Sequence, residues 1–136
     1  MVYKVKIISL ISLVLILFSC EQEDTNLQLD IDLESQFTGT FKTLNSDDIS
    51  GEVTLDISHG TYTSTTNLPY GRGVGQLIVE EQTINFQNTL FFPVPALYGP
   101  SYVLGGEYQY TFDGITLTIW RSINVGEIIY QLQRIN

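Results

Sequence analysis

The sequence predicts an all-β protein, an eight-stranded antiparallel up-and-down barrel, with a β-sandwich as the alternative. A β-hairpin can be read directly between Gly106 and Trp120. From Ser35 onward, apolar and polar residues alternate in eight short runs separated by turn residues, and this period of two is typical of strands rather than helices. The composition agrees, because Tyr (8), Phe (7) and Gly (11) suit strands and tight turns.

The hairpin between Gly106 and Trp120 is predicted from its turn. Asp113-Gly114 is a strong signal for a two-residue hairpin turn, because a type I′ turn needs positive φ at both central positions. With these residues at the turn, the apolar side chains pair on one face as Phe112–Ile115, Tyr110–Leu117 and Tyr108–Ile119. A shift of one residue would set aromatic rings against threonines, so the pattern favours this register.

The remaining strands follow from the same alternation. Strands one to five are expected at about 36–44, 51–58, 61–67, 74–80 and 83–90, strands six and seven from near Tyr102 to near Arg121, and strand eight after Gly126. Two further hairpins have the expected pairs Ile57–Tyr62 and Leu55–Ser64, and Val79–Ile84 and Leu77–Phe86. Because the number of strands is even, strand eight can pair antiparallel with strand one, and closure removes the exposed edges.

The predicted inward faces are rich in aromatic rings: Phe37, Phe41, Tyr62, Phe86, Tyr108, Tyr110, Phe112 and Tyr130. An eight-stranded barrel is just wide enough to fill with side chains or to hold one small ligand. This number of rings favours a mostly packed core over an open cavity. Buried tyrosine hydroxyls would need hydrogen-bond partners, which ordered water or a small polar ligand could supply.

A long apolar connection separates strands five and six. Pro93, Pro95 and Pro100 exclude a central strand in this connection. Its candidate contacts for a ligand or partner are Phe91, Phe92, Leu97, Tyr98 and Tyr102. These side chains either fold back to plug one end of the barrel or stay exposed as a contact patch, since exposed apolar clusters mark interaction sites.

Residues 1–19 have the pattern of a secretory signal peptide. Two lysines precede the apolar run Ile7–Phe18, which is shorter than the roughly 20 residues of a membrane-spanning helix. The run ends in Leu17-Phe18-Ser19-Cys20, which resembles the lipobox of bacterial lipoproteins. The resemblance implies that Cys20 becomes the lipid-modified N-terminus. The single cysteine agrees, because it has no disulfide partner. An ordinary signal peptide with an incidental cysteine is the alternative.

Residues 20–35 are expected to form an acidic tether ahead of a barrel domain at 36–136. Glu21-Gln22-Glu23-Asp24 resembles the export signal that sends lipoproteins of Bacteroidetes-type bacteria to the outer face of the outer membrane. A solvated acidic tether without any signal explains this cluster equally well. Together, the two resemblances predict a location at the outer membrane, with a lipid anchor. They leave open whether the protein lies at the cell surface or on the periplasmic face.

The tether also contains a strict alternation. Apolar side chains recur at every second position, at Leu27, Leu29, Ile31 and Leu33. This period favours a strand, on which Asp30, Asp32 and Glu34 would share one face. Three carboxylates could bind calcium, but no glycine-containing loop gathers them, so no metal is expected here.

Charge and residue content exclude several classes of function. Six Lys and Arg residues against 15 Asp and Glu residues give a net charge of −9, the opposite of what nucleic-acid phosphates require. Catalytic triads and zinc sites lack components, because His59 is the only histidine and the only cysteine is expected to be acylated. We therefore expect no enzyme activity, no nucleic-acid partner, no cofactor and no metal.

The glycine and aromatic spacing points to one further resemblance. Gly39-Thr40-Phe41, Gly60-Thr61-Tyr62, Gly106-Glu107-Tyr108 and the final Tyr130-Gln131-Leu132-Gln133-Arg134 resemble the lipocalin-like small barrels of bacterial lipoproteins. Phe41 stands where true lipocalins have tryptophan. The resemblance implies a binding cavity inside the barrel. The function we expect is a non-catalytic binding or interaction module that contacts a protein or a glycan. A carrier or sensor of a small apolar ligand held in the barrel is the alternative.

Overall fold

The computed structural model describes residues 26–44, 49–68, 71–90, 104–123 and 126–136. The strands are β1 (Ser35–Leu44), β2 (Ser50–Ser58), β3 (Thr61–Thr66), β4 (Arg72–Val79), β5 (Thr83–Asn88), β6 (Gly106–Phe112), β7 (Thr116–Ile123) and β8 (Gly126–Arg134). Among the described residues there is no helix, and hence none with the length and apolar character needed to cross a membrane.

The strands close into an antiparallel up-and-down barrel in which each strand pairs with its sequence neighbours. β1 also pairs with β8, for example Phe41 with Tyr130 and Gly39 with Leu132. The closed eight-stranded barrel predicted from the sequence is therefore confirmed, and the sandwich alternative is wrong. Because the sheet has no free edge, it offers no site for intermolecular strand pairing.

Alternate residues of the strands point inward and form one hydrophobic core. The eight predicted inward rings are all buried, with exposed fractions of 6% or less. Aliphatic side chains such as Leu55, Leu117 and Leu132 lie among them and are fully buried. Complete burial of one such side chain contributes about 1.5–3 kcal/mol. The interior is therefore the main source of stability.

The β2–β3 hairpin has the predicted register. Ile57 pairs with Tyr62 across the hairpin. His59 and Gly60 have φ values of 49° and 74°, the positive values that a type I′ turn requires. The β4–β5 hairpin also has its predicted pairs, Val79–Ile84 and Leu77–Phe86.

The β6–β7 hairpin differs from the prediction by a register shift of two residues. Phe112 pairs with Leu117 rather than with Ile115. Asp113 and Thr116 form the last pair, through the Asp113 N–H and the Thr116 carbonyl at 3.3 Å, so the turn consists of Gly114 and Ile115. The predicted Asp113-Gly114 turn is therefore wrong. Because the shift is an even number of residues, every strand residue keeps its predicted face.

The carboxylate of Asp113 explains the position of this turn. Its Oδ1 accepts hydrogen bonds from the N–H groups of Ile115 and Thr116, at 2.9 and 2.6 Å. Aspartate commonly stabilises a turn by such bonds to the backbone two residues ahead. Gly114 alone supplies a positive φ, of 100°, and Ile115 is left 65% exposed.

Residues 26–34 cross one end of the barrel and do not form the expected strand. Near β6, the Asn26 Oδ1 accepts a hydrogen bond from the N–H of Phe112 at 2.9 Å, and the N–H of Leu27 donates to the Phe112 carbonyl at 2.8 Å. Near the β2–β3 turn, the N–H of Gly60 donates to the Ile31 carbonyl at 2.9 Å. β6 and β2 lie on opposite sides of the barrel, so the segment spans its mouth.

One side chain of this segment, Leu29, is buried with 4% exposed, whereas Leu27 and Leu33 are exposed. The segment therefore covers this end of the barrel and inserts a single side chain into it. Its backbone bonds to the last residue of β6 and to the β2–β3 turn, and does not run along a neighbouring strand. We call the end that residues 26–34 cover the N-terminal end of the barrel, since β1 begins there. We call the other end, where β1 finishes at Leu44, the opposite end.

At the opposite end, β6 begins at Gly106 and not near Tyr102. Leu104 is fully buried, and its carbonyl accepts a hydrogen bond from the hydroxyl of Tyr62 at 3.0 Å. Because Leu104 is turned into the interior, regular strand pairing starts only after it. Tyr102 itself lies outside the described residues.

Candidate functional site

Aromatic rings in contact with one another cross the interior of the barrel. Ring centroids lie 4.9 Å apart for Tyr62–Phe86, 5.8 Å for Phe86–Tyr108, 5.9 Å for Tyr108–Tyr130 and 5.6 Å for Phe41–Tyr130. The first three pairs are edge-to-face, a geometry that contributes about 0.5–1.5 kcal/mol beyond the burial of the rings. These rings occupy the space that an apolar ligand would need. The candidate site therefore lies outside the core.

Sequence reasoning missed one interior residue, Arg121. Its guanidinium carbon lies 4.3 Å from the ring centroid of Tyr108, and its Nη1 donates a hydrogen bond to the Gly105 carbonyl at 2.8 Å. Burial raises the pKa of Tyr108, and the charge of Arg121 partly offsets that rise. The alternation of β7 could have identified this residue, because Leu117, Ile119 and Arg121 share one face. These contacts give Arg121 a structural role.

The backbone satisfies two of the buried tyrosine hydroxyls, those of Tyr62 and Tyr110. Tyr62 donates to the Leu104 carbonyl at 3.0 Å, and Tyr110 donates to the Glu80 carbonyl at 3.1 Å. Burial raises the pKa of both phenols, so both remain protonated donors at physiological pH. These hydroxyls therefore need no ligand as a partner.

Within the described ranges, no three His, Cys, Asp or Glu side chains lie close enough together to hold a metal ion. The calcium hypothesis for Asp30, Asp32 and Glu34 has no support, since they form no such group. His59 lies in the exposed β2–β3 turn, with its Nδ1 2.9 Å from the Ser58 hydroxyl.

The site residues predicted from the sequence lie outside the described residues: Cys20, Phe91, Phe92, Leu97, Tyr98 and Tyr102. They therefore stay predictions. The described residues that flank the apolar connection differ, because Leu90 is 38% exposed and Leu104 is fully buried.

The outer wall of the barrel carries a groove of about 830 Å³. Its lining comes from four groups of neighbouring residues, 38–40, 52–54, 65–67 and 131–133, and from Thr116. The groove thus crosses five adjacent strands in the order β3, β2, β1, β8 and β7. Because neighbouring strands lie about 4.8 Å apart, the groove is roughly 19 Å long.

Gly39 lies in the middle of the groove, where β1 and β8 meet. A Cβ at this residue would collide with the carbonyl oxygen of Gln131, so only glycine lets β1 and β8 approach so closely. Gly39 also occupies an inward position between Phe37 and Phe41, where the core receives no side chain. Glycine inside a strand commonly marks a bend or a close approach of two backbones.

The groove offers neutral hydrogen-bonding groups with one exception, the carboxylate of Glu52. The neutral groups are the hydroxyls of Thr38, Thr40, Thr54, Thr65, Thr66 and Thr116 and the amides of Asn67, Gln131 and Gln133. Some of them are held in place, because Asn67 Oδ1 accepts a hydrogen bond from the Glu52 N–H at 2.9 Å and the hydroxyls of Thr54 and Thr65 bond to each other. Groups that are already ordered lose less entropy when a ligand binds.

Comparison with known proteins gave no relative for this chain. The sequence matches no protein-family model, and searches of the curated proteins and of the solved structures found no match.

Proposed function

We propose that the chain is a lipid-anchored lipoprotein of the cell envelope, whose barrel is a non-catalytic binding module that contacts its ligand through the outer-wall groove. The groove is the observation that carries the binding part of this proposal. Its volume lies within the roughly 300–1,000 Å³ of ligand sites. The ring-packed interior favours this module over a carrier of apolar molecules.

The anchoring part rests on the sequence around Cys20. A basic start, an apolar run of limited length and a lipobox-like sequence coincide there, and the chain has no second cysteine. The outer membrane is the location that the acidic cluster after Cys20 favours.

The chemistry of the groove favours a neutral, polyhydroxylated ligand such as a glycan segment. An anionic ligand would meet the carboxylate of Glu52 on a protein of net charge −9, and no Lys or Arg lines the groove. An apolar ligand would cover the hydroxyl and amide groups without satisfying them, which is costly. A glycan chain offers hydroxyls along its length, which suits an extended groove.

Metabolic labelling tests the anchor. Cells that express the wild-type chain and receive a clickable fatty acid should yield a labelled protein, and the Cys20→Ser variant should yield none. Equal labelling of both proteins would contradict the proposal.

Nuclear magnetic resonance tests the groove. Neutral hexasaccharides of glucose, mannose and xylose are titrated into the ¹⁵N-labelled chain that begins at Cys20. At least one should shift the side-chain amide signals of Gln131 and Gln133, and Gln131→Ala should weaken its binding about tenfold through the loss of hydrogen bonds. Gln87→Ala is the matched control, because Gln87 is an exposed outward residue of β5, on the other side of the barrel.

Two results would contradict the groove as the site. One is the absence of any shift with all three sugars. The other is an equal loss of affinity in the Gln131→Ala and Gln87→Ala variants.

A further inference from the structure

The N-terminal end of the barrel exposes four large apolar side chains. The exposed fractions are 46% for Leu27, 56% for Leu33, 65% for Ile115 and 56% for Ile135. We call these four residues the apolar rim. They come from three distant parts of the chain, so no single stretch of sequence reveals that they share one end. A cluster of exposed apolar residues commonly marks an interaction surface.

The backbone of the rim is held by hydrogen bonds. The Ile115 carbonyl accepts a bond from the N–H of Arg134 at 2.8 Å, and the N–H of Ile135 donates to the Gln36 carbonyl at 2.9 Å. Leu27 lies beside the β6–β7 turn, since a Cβ built on Gly114 would be 3.6 Å from its Cδ1. Leu27, Ile115 and Ile135 therefore project from neighbouring, ordered backbone.

The chain that leads to Cys20 starts at this same end. Asn26 is hydrogen-bonded to the end of β6, and five residues separate it from Cys20. A fully extended chain spans about 3.3–3.6 Å per residue, so Cys20 lies within roughly 22 Å of Asn26. A lipid on Cys20 would hold the apolar rim close to the bilayer.

We propose that the apolar rim rests on the lipid surface, with its side chains at the boundary between headgroups and acyl chains. This inference rests on the proposed lipidation of Cys20. The surface is zwitterionic rather than anionic, because Asp30, Asp32, Glu34 and Asp113 are exposed at the same end and would be repelled by anionic headgroups. In this orientation the groove opens sideways on the barrel wall, with Thr116 at the edge nearest the bilayer.

Fluorescence quenching by brominated lipids tests the orientation. The chain beginning at Cys20 contains all described residues, and its single thiol can be coupled to a maleimide lipid in phosphatidylcholine vesicles. In a Trp120→Phe background, a reporter is introduced by Ile115→Trp. The matched control is Leu44→Trp at the opposite end, where Leu44 is 50% exposed. Ile135→Trp is a second rim reporter outside the strands, in case Ile115→Trp disturbs the hairpin.

Brominated acyl chains should roughly halve the emission of the rim reporters, because side chains at the headgroup boundary lie within quenching range, and should leave the control unchanged. Equal quenching of rim and control, or quenching of neither, overturns the orientation.

Vesicles that contain the anionic lipid phosphatidylglycerol should give less quenching of the rim reporters. More quenching of these reporters would overturn the assignment of a zwitterionic surface. Because coupling to Cys20 is chemical, this result is independent of whether cells attach a fatty acid to that residue.

Discussion

Two hairpins at the N-terminal end of the barrel make tight turns by different means. The β2–β3 turn uses the backbone alone, with positive φ at both His59 and Gly60. The β6–β7 turn has positive φ only at Gly114. There the carboxylate of Asp113 accepts hydrogen bonds from the N–H groups of Ile115 and Thr116. An acceptor side chain directly before a glycine thus moves the turn by one residue, and the strand register by two.

Both turns also hold the segment that covers this end. The N–H of Gly60 donates to the Ile31 carbonyl, and Leu27 packs beside Gly114. A change in either turn therefore acts on a hairpin and on the covering segment together. The difference between the two turns can be tested by substitutions that affect only one mechanism.

The largest expected effect tests the register of β6–β7. Leu117 is fully buried opposite Phe112, so Leu117→Ala should cost about 2–5 kcal/mol of unfolding free energy. Ile115 is 65% exposed in the turn, so Ile115→Ala should change the stability by less than about 0.5 kcal/mol. Urea denaturation of both variants measures the difference. A loss of several kcal/mol for Ile115→Ala would instead favour the register with Ile115 opposite Phe112.

The next effect tests the backbone of the two turns. Gly114→Ala should cost about 1–3 kcal/mol, because φ of 100° lies outside the left-handed helical region that other residues tolerate. The added Cβ would meet Leu27 at an ordinary contact distance of 3.6 Å, so the cost is conformational. Gly60→Asn should cost less than about 1 kcal/mol, since asparagine accepts a φ near 74°. Thermal melts of both variants measure the two losses of stability. Equal losses would contradict a difference between the backbone requirements of the two turns.

Most of the fold could be predicted from the sequence, because alternation and turn residues are local signals. The inward rings, the closure of β1 on β8 and the β2–β3 register were all predicted correctly. The β6–β7 register was not, since the choice between two adjacent turn positions depends on the side-chain hydrogen bonds of Asp113. The covering role of residues 26–34 was also missed, because their alternation looks the same whether the partner is a strand or a barrel mouth.

The candidate site was less predictable. Alternation assigns Gln131, Gln133 and their threonine neighbours to the outer face, but a groove depends on how five strands curve together. Gly39 is a local signal for a close approach of backbones, although sequence alone does not say which neighbour comes close. The apolar rim combines Leu27 with Ile115 and Ile135, residues that only the closed barrel brings together.

The smallest expected effect tests the carboxylate of Asp113 by pH. Backbone hydrogen bonds from Thr116 and Ile115 lower the pKa of Asp113 from its ordinary value of 3.8. A carboxyl whose pKa is lower in the folded than in the unfolded state stabilises the fold above the unfolded value, and that stabilisation is lost as pH falls through the folded value. Asp113→Asn keeps an acceptor oxygen without the charge, so the melting temperatures of wild type and variant should differ above about pH 5 and converge towards about pH 2. Asp113→Ala is the control, since it removes the acceptor and should stay less stable than Asp113→Asn at every pH. A gap between wild type and Asp113→Asn that keeps the same size down to the lowest pH would show that the charge of this side chain does not hold the turn.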